Sequence, residues 1–123
     1  MQIEKPILAI DYGEKRIGLA ISDAKGIIAS PLDVLKVTEK HNTESILEDI
    51  LLIVDEYRVK SILIGMPQLF EKTYSKSIKK IKSFAKNLSD LTNIPVIFQD
   101  ESYSNSSSEY ATIFRAEYQI IQR

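Results

Sequence analysis

The order of its short apolar runs constrains the fold of this 123-residue chain more than any other feature. Three runs are separated only by short turns, which favours antiparallel hairpins, and two further runs each follow a stretch with helical periodicity. The predicted strands cover Pro6–Asp11, Ile17–Asp23, Ile27–Val37, Ser61–Gly65 and Ile94–Gln99. Because strand–helix–strand units favour parallel pairing, we expect an α/β fold with three antiparallel strands followed by parallel ones.

Helical patterns occupy the segments between the later strands and the segment after them. The first opens at Asn42–Ser45, where Asn42 or Thr43 can act as the N-cap. A second helix is predicted over Thr73–Leu91 and a third over Ser104–Tyr118. Pro31 is expected to bend the third strand, because proline cannot donate a hydrogen bond to a sheet.

The composition is that of an ordinary globular protein, with 44% hydrophobic and 27% charged residues. This length fits one domain, so residues 1–123 are expected to form a single domain. The absence of Cys excludes disulfides and thiolate metal sites. A net charge of −1 means that nucleic-acid binding would need a local basic patch. No apolar run approaches the ~18 residues of a membrane span, so a cytoplasmic protein without membrane association is expected.

Two acidic residues follow predicted strands in comparable positions: Asp11 ends the first strand, and Glu101 follows the fifth. If both strands run parallel, their carboxyl ends lie at the same sheet edge, where open α/β sheets bind ligands. Two carboxylates at that edge can share a hard divalent cation such as Mg²⁺ or Mn²⁺, and paired ions of this kind support phosphodiester cleavage. The alternative is that each acid only forms a turn or caps a helix.

The turn after Asp11 carries one small residue and two basic ones. Gly13 permits close backbone approach, and the side chains of Lys15 and Arg16 can reach a phosphate. A D-x-G turn between two strands occurs in actin-like and sugar-kinase ATPases and also in ribonuclease-H-like nucleases. The ATPases need two lobes around their nucleotide, and a chain of 123 residues supplies one, which favours the nucleases.

Several segments in order resemble one family of these nucleases. They are Leu8–Asp23, Gly26 with Ser30–Leu32, Ile64–Pro67 and Pro95–Glu101. Together they resemble the YqgF family, the RuvX-type proteins that are similar to Holliday-junction resolvases and are also described as pre-16S rRNA processing nucleases. The third segment resembles the family's G-[LM]-P loop, and the fourth leads to its D-E-R motif. The resemblance covers most of the chain, from residue 7 to residue 105.

The resemblance implies a ribonuclease-H-like fold, a five-stranded mixed sheet flanked by helices, and metal-dependent hydrolysis of phosphodiesters. Asp11 and Glu101 would be the catalytic residues and would hold Mg²⁺ or Mn²⁺, with Asp100 as a neighbouring acid in a supporting role. The substrate-binding residues would be Gly13, Lys15, Arg16, Gly65 and Pro67. The implied partner is nucleic acid, with the 5′ end of precursor 16S rRNA as the first substrate and branched DNA as its rival. A monomer and a homodimer are both compatible with the sequence.

The chain departs from the family pattern in the region of the acids. The Arg of the D-E-R motif is replaced by Ser102, and no Asp follows Asp100, although the family carries a third catalytic Asp in its last helix. Three explanations stay open: the final family helix is missing, another residue supplies the third ligand, or the protein is weakly active or inactive. The last of these motivates a second hypothesis, a non-catalytic module that binds nucleic acid or protein.

A basic stripe is predicted on the second helix, on the side opposite its apolar residues. It consists of Lys72, Lys76, Lys79, Lys82 and Lys86. A stripe of this kind can track a phosphate backbone, but it is more often only the solvated face of a helix, and we interpret it in that way.

Overall fold

The first two strands form an antiparallel hairpin, β1 (Ile7–Tyr12) with β2 (Arg16–Ser22), in the computed structural model of the chain. The structure describes residues 4–13, 15–23, 29–66 and 71–100, and within these ranges the side chains of residues 29, 66, 71–77, 99 and 100 are not described. Ser22, the last residue of β2, is bonded to the first residue of β1. Its buried hydroxyl accepts a hydrogen bond of 2.7 Å from the backbone N–H of Ile7.

The third strand, β3 (Ala29–Lys36), pairs antiparallel with β2 and forms one border of the sheet. The register shifts between Leu19 and Ala20, which pair with Asp33 and Pro31 respectively. The predicted bend at Pro31 therefore corresponds to an irregularity of the β-bulge type, in a border strand where proline is tolerated. The first two residues of the predicted strand, 27 and 28, lie outside the described residues.

The two remaining strands extend the sheet on the other side of β1, in the order β3-β2-β1-β4-β5. β4 (Ser61–Met66) pairs parallel with β1, and β5 (Val96–Asp100) pairs parallel with β4. The predicted five-stranded mixed sheet, antiparallel first and parallel afterwards, is confirmed.

Two helices make the parallel connections, and each ends at a residue in the left-handed region. α1 (Thr43–Tyr57) is capped by Asn42, whose side chain accepts from the N–H of Ser45 at 3.1 Å, and it ends at Arg58 with φ 52°. α2 (Glu71–Thr92) is longer than predicted. The hydroxyl of Thr92 donates to the carbonyl of Leu88 at 2.6 Å, and the turn then ends at Asn93 with φ 56°. The predicted third helix, Ser104–Tyr118, lies outside the described residues.

Both described helices pack on the same face of the sheet. The core there joins Leu8, Ile10 and Ile64 of the sheet to Ile50 of α1 and Phe84 of α2. The residues that alternate with them in the strands are also fully buried: Ile7, Ala9, Ala20 and Leu63. Burial on both faces explains why β1 and β4 appear in the sequence as unbroken apolar runs.

Candidate functional site

Asp11 lies at the carboxyl end of β1, in the middle of the sheet, with a partly buried side chain. It pairs with Gly18 on β2 and with Gly65 on β4, so a glycine lies on either side of it across the sheet. Directly opposed strand residues point to the same face, so neither neighbour places a side chain beside the carboxylate. Both glycines are themselves buried within the sheet, so Asp11 is the residue of this row that carries a side chain on β1, β2 or β4.

The same edge receives the end of β5. Gly65 pairs with Gln99, and Met66 pairs with Asp100, the last residue of the strand. Asp11, Gly65 and Gln99 thus form one row across β1, β4 and β5. Gly65, in the middle of the row, adds no side chain between the other two residues. Glu101, the next residue in the sequence, lies outside the described residues, so its predicted role as a catalytic residue and metal ligand stays a prediction.

The turn between β1 and β2 depends on Gly13 for a steric reason. A Cβ at this position would lie 2.6 Å from the carbonyl oxygen of Arg16, closer than real Cβ atoms approach a backbone atom. The turn could not keep its path with a larger residue there. Gly13 therefore has a structural role at the site edge, and its predicted contact with substrate stays a prediction.

Lys15 and Arg16 are exposed at this edge and are held there through their backbones. The carbonyl of Lys15 accepts a hydrogen bond of 2.9 Å from the N–H of Val37, and Arg16 pairs with Lys36. The hairpin turn and the end of β3 thus present three basic side chains at the edge that contains Asp11. Of the other two predicted substrate-binding residues, Gly65 adjoins Asp11, and Pro67 lies outside the described residues.

The described part of this edge fits a divalent cation in the chemistry of its ligand atoms. A carboxylate oxygen is a preferred ligand of Mg²⁺ and Mn²⁺, and the residues paired with Asp11 on both neighbouring strands are glycines. Among the described residues, no three His, Asp or Glu side chains form a group that could hold a metal ion. A complete ligand set therefore needs acids whose side chains are not described.

A pocket of about 480 Å³ lies at the same sheet edge, on the face that carries the helices. We call it the Tyr12 pocket. Its described lining residues are Tyr12, Val37, Thr43, Lys79, Lys80, Ser83, Phe84 and Asn87. The rings of Tyr12 and Phe84 are 4.9 Å apart between centroids and tilted by 51°. Since Asp11 and Tyr12 are consecutive in a strand, the carboxylate and the pocket lie on opposite faces of one edge.

The described part of the predicted basic stripe of α2 is exposed, as expected for a solvated helix face, and one of its lysines also lines the Tyr12 pocket. Lys79, Lys82 and Lys86 are exposed, whereas the side chains of Lys72 and Lys76 are not described. Lys79 lines the Tyr12 pocket together with Lys80, which the stripe did not include. The signal that could have found the pocket is a second polar stripe at helical spacing, Lys80, Ser83 and Asn87, beside the apolar one.

Residues 5–120 match the family model described as RuvX, Holliday junction resolvase. The chain belongs to the RuvX family. A protein of Streptococcus uberis named "Putative pre-16S rRNA nuclease" is 30% identical over 111 residues, which cover 90% of this chain and 79% of that relative. A protein of the same name from Dictyoglomus turgidum is 36% identical over 103 residues, or 84% of this chain and 71% of the relative. The predicted family and the predicted class of enzyme, a nuclease, are confirmed.

Solved structures confirm the fold. RuvC of Thermus thermophilus superposes with a TM-score of 0.60 at 14% identity, over 94% of this chain and 81% of that one. A hexokinase of the same organism, of the ROK type, gives a TM-score of 0.56 at 16% identity, but this chain covers only 39% of it. The two likenesses show a shared fold, and the sequence relatives separate the nuclease from the kinase. None of the described helices is long and apolar enough to span a membrane.

Proposed function

We propose that this RuvX-family chain hydrolyses nucleic-acid phosphodiesters at the edge marked by Asp11, with Glu101 as its partner and Mg²⁺ or Mn²⁺ as its cofactor. The observation that carries the proposal is the position of Asp11 between Gly18 and Gly65 at the carboxyl end of a central strand. That position places a hard oxygen ligand at the sheet edge where open α/β sheets bind ligands.

Glu101 is the proposed second ligand because it directly follows β5, which ends at the same edge as β1. Adjacent strands are about 4.8 Å apart, so β1 and β5 are separated by roughly 10 Å with only Gly65 between them on this row. Two carboxylates that extend toward each other across a glycine can share one hydrated cation. When bound, a divalent cation supplies an activated water and stabilises the charge on the leaving oxygen.

The exposed basic residues at this edge would bind the substrate backbone. Lys15, Arg16 and Lys36 lie around the hairpin turn beside Asp11. Their positive charges would hold the phosphates that flank the bond to be cleaved, and Gly13 and the Gly65–Pro67 segment would border that bond. Charges placed in this way orient the phosphodiester before the chemical step, which is a large part of catalysis in phosphate chemistry.

Precursor 16S rRNA, processed at its 5′ end, is the proposed substrate. Its support is that relatives named for that activity match most of this chain at 30% and 36% identity. Branched DNA is the second candidate, because the matching family model is described as a Holliday junction resolvase. The predictions of a cytoplasmic location, and of a monomer or a homodimer, stay predictions.

Cleavage assays with matched variants test the proposal. Wild type, Asp11→Asn and Glu101→Gln are incubated with Mg²⁺ or Mn²⁺ and either 5′-extended 16S precursor or a four-way DNA junction. Loss of a metal ligand should cost more than the roughly 100-fold upper range of groups that only support a ligand. Asp55→Asn is the control, since Asp55 is an exposed carboxylate near the far end of α1.

The outcomes separate the hypotheses. Wild-type cleavage that survives in both variants would show that these acids are not the site. Binding of either substrate without cleavage by wild type would favour the non-catalytic module. Cleavage of the junction but not of the precursor would assign branched DNA as the substrate.

A further inference from the structure

The Tyr12 pocket lies at the proposed cleavage edge, on the face of the sheet that carries the helices. Its walls come from the end of β1, from Val37 directly after β3, from the start of α1 and from one side of α2. The carboxyl ends of β1 and β3 lie at the same edge, because both strands run antiparallel to β2 between them. A strand of nucleic acid that crosses this edge from the face of Asp11 to the helix-bearing face can therefore reach the pocket.

The charges around the pocket favour an anionic ligand. Lys79 and Lys80 belong to its wall, and none of its described lining residues is acidic. Thr43 is the first residue of α1, so the partial positive charge of a helix N-terminus adds to that of the lysines. The Asn42 cap holds this terminus in place.

The inside of the pocket is suited to a base. Tyr12 lines it, and the ring of Tyr12 is supported by Phe84, which is 2% exposed. Ser83 and Asn87 place a hydroxyl and an amide on the same wall, where they can hydrogen-bond to base edges. A volume of about 480 Å³ lies within the range of about 300–1,000 Å³ of small-ligand pockets. Unpaired bases are commonly recognised by stacking on aromatic side chains combined with basic contacts to the backbone.

We propose that the Tyr12 pocket binds one unpaired nucleotide of the nucleic-acid substrate, adjacent to the bond that is cleaved. The base stacks against Tyr12, and its phosphate contacts Lys79 and Lys80. This inference rests on the proposed nuclease function, because the pocket lies next to a cleaved bond only if cleavage takes place at Asp11. It makes the chain selective for a substrate that has a single-stranded segment next to its cleavage site.

Binding measurements in an inactive background test the pocket separately from catalysis. The probe is a short fluorescein-labelled oligouridylate, titrated with the Asp11→Asn protein and followed by fluorescence anisotropy, with a blunt RNA duplex as the comparison. Tyr12→Leu and Lys80→Glu should each weaken oligouridylate binding roughly ten-fold, since one stacked base or one phosphate contact is removed. Lys79→Glu gives a second test of the charge at an exposed position.

Lys82→Glu is the matched control. Lys82 is exposed on the same helix and carries the same charge, but it lies about 200° from Lys80 around the helix axis. The proposal requires that Lys80→Glu weakens binding much more than Lys82→Glu at equal ionic strength, and that thermal unfolding of the two variants is similar. Equal losses of oligouridylate affinity in both variants would show that only the total charge of the protein matters, and would overturn the proposal.

Two further outcomes distinguish this proposal from the proposed function. If wild type cleaves 5′-extended precursor with metal but the inactive protein binds no oligouridylate, the pocket proposal fails and the nuclease proposal stands. If binding depends on Tyr12 and Lys80 but no cleavage occurs with either metal, the pocket proposal stands and the nuclease proposal fails.

Discussion

At the scale of single residues, glycine determines how much room the site has. Gly18 and Gly65 add no side chains to the row of Asp11, and Gly13 lets the following turn close against the carbonyl of Arg16. These glycines act by different means. Two of them are set beside Asp11 by strand register, whereas Gly13 is required by a backbone contact within its own turn.

The turn contact predicts a loss of stability for Gly13→Ala. The added Cβ would lie 2.6 Å from a backbone oxygen, so the turn must shift, and overpacking of this kind costs about 1–3 kcal/mol of unfolding free energy. Urea denaturation measures this loss. Lys15→Ala in the same turn changes an exposed side chain and should stay within about 0.5 kcal/mol of wild type. If Gly13→Ala kept full stability but lost nuclease activity, Gly13 would act on the substrate and the steric explanation would be wrong.

At the scale of elements, α1 connects the core to the candidate site. Its apolar residues Ile46 and Ile50 are fully buried, whereas Thr43 at its start lines the Tyr12 pocket. A turn before the helix is fixed by two hydrogen bonds between Thr38 and His41, at 2.9 and 3.0 Å. The cap at Asn42 thus fixes the first residue of the helix, and with it the position of Thr43 in the pocket wall.

Removal of this cap should destabilise the protein by about 1 kcal/mol, within the range of about 0.5–2 kcal/mol that N-cap residues contribute. In the wild-type protein the N–H of Ser45 donates to the side chain of Asn42 at 3.1 Å, and Asn42→Ala removes this acceptor. Asn42→Asp keeps an acceptor and places a negative charge at the helix start, so it should match or exceed wild type. Thermal unfolding of the three proteins checks the order. An Asn42→Ala protein as stable as wild type would mean that the cap contributes nothing here.

At the scale of the whole molecule, the sheet could be predicted from the sequence because short turns and helical connections leave few ways to order five strands. The candidate site could be predicted only in part. Asp11 is visible as an acid that ends an apolar run, but its glycine neighbours follow from the pairing of β1 with β2 and β4. The Tyr12 pocket depends on how α2 rotates over the sheet. That rotation brings Lys80 into the wall, although the sequence alone suggested a stripe that included Lys79 and Lys82.

The proposed metal site should also appear in the stability of the whole molecule. An ion that binds only the folded protein stabilises it by an amount that grows with concentration, about 2.7 kcal/mol at 100 times the dissociation constant. A stabilisation of that size raises the unfolding temperature by several degrees in a domain of this length. We therefore expect Mn²⁺ to raise the unfolding temperature of wild type and of Asp55→Asn, and to leave Asp11→Asn nearly unchanged. Because the measurement needs no substrate, it tests ion binding without reference to cleavage. Equal increases in Asp11→Asn and Asp55→Asn would place the ion elsewhere and remove Asp11 from the proposed ligand set.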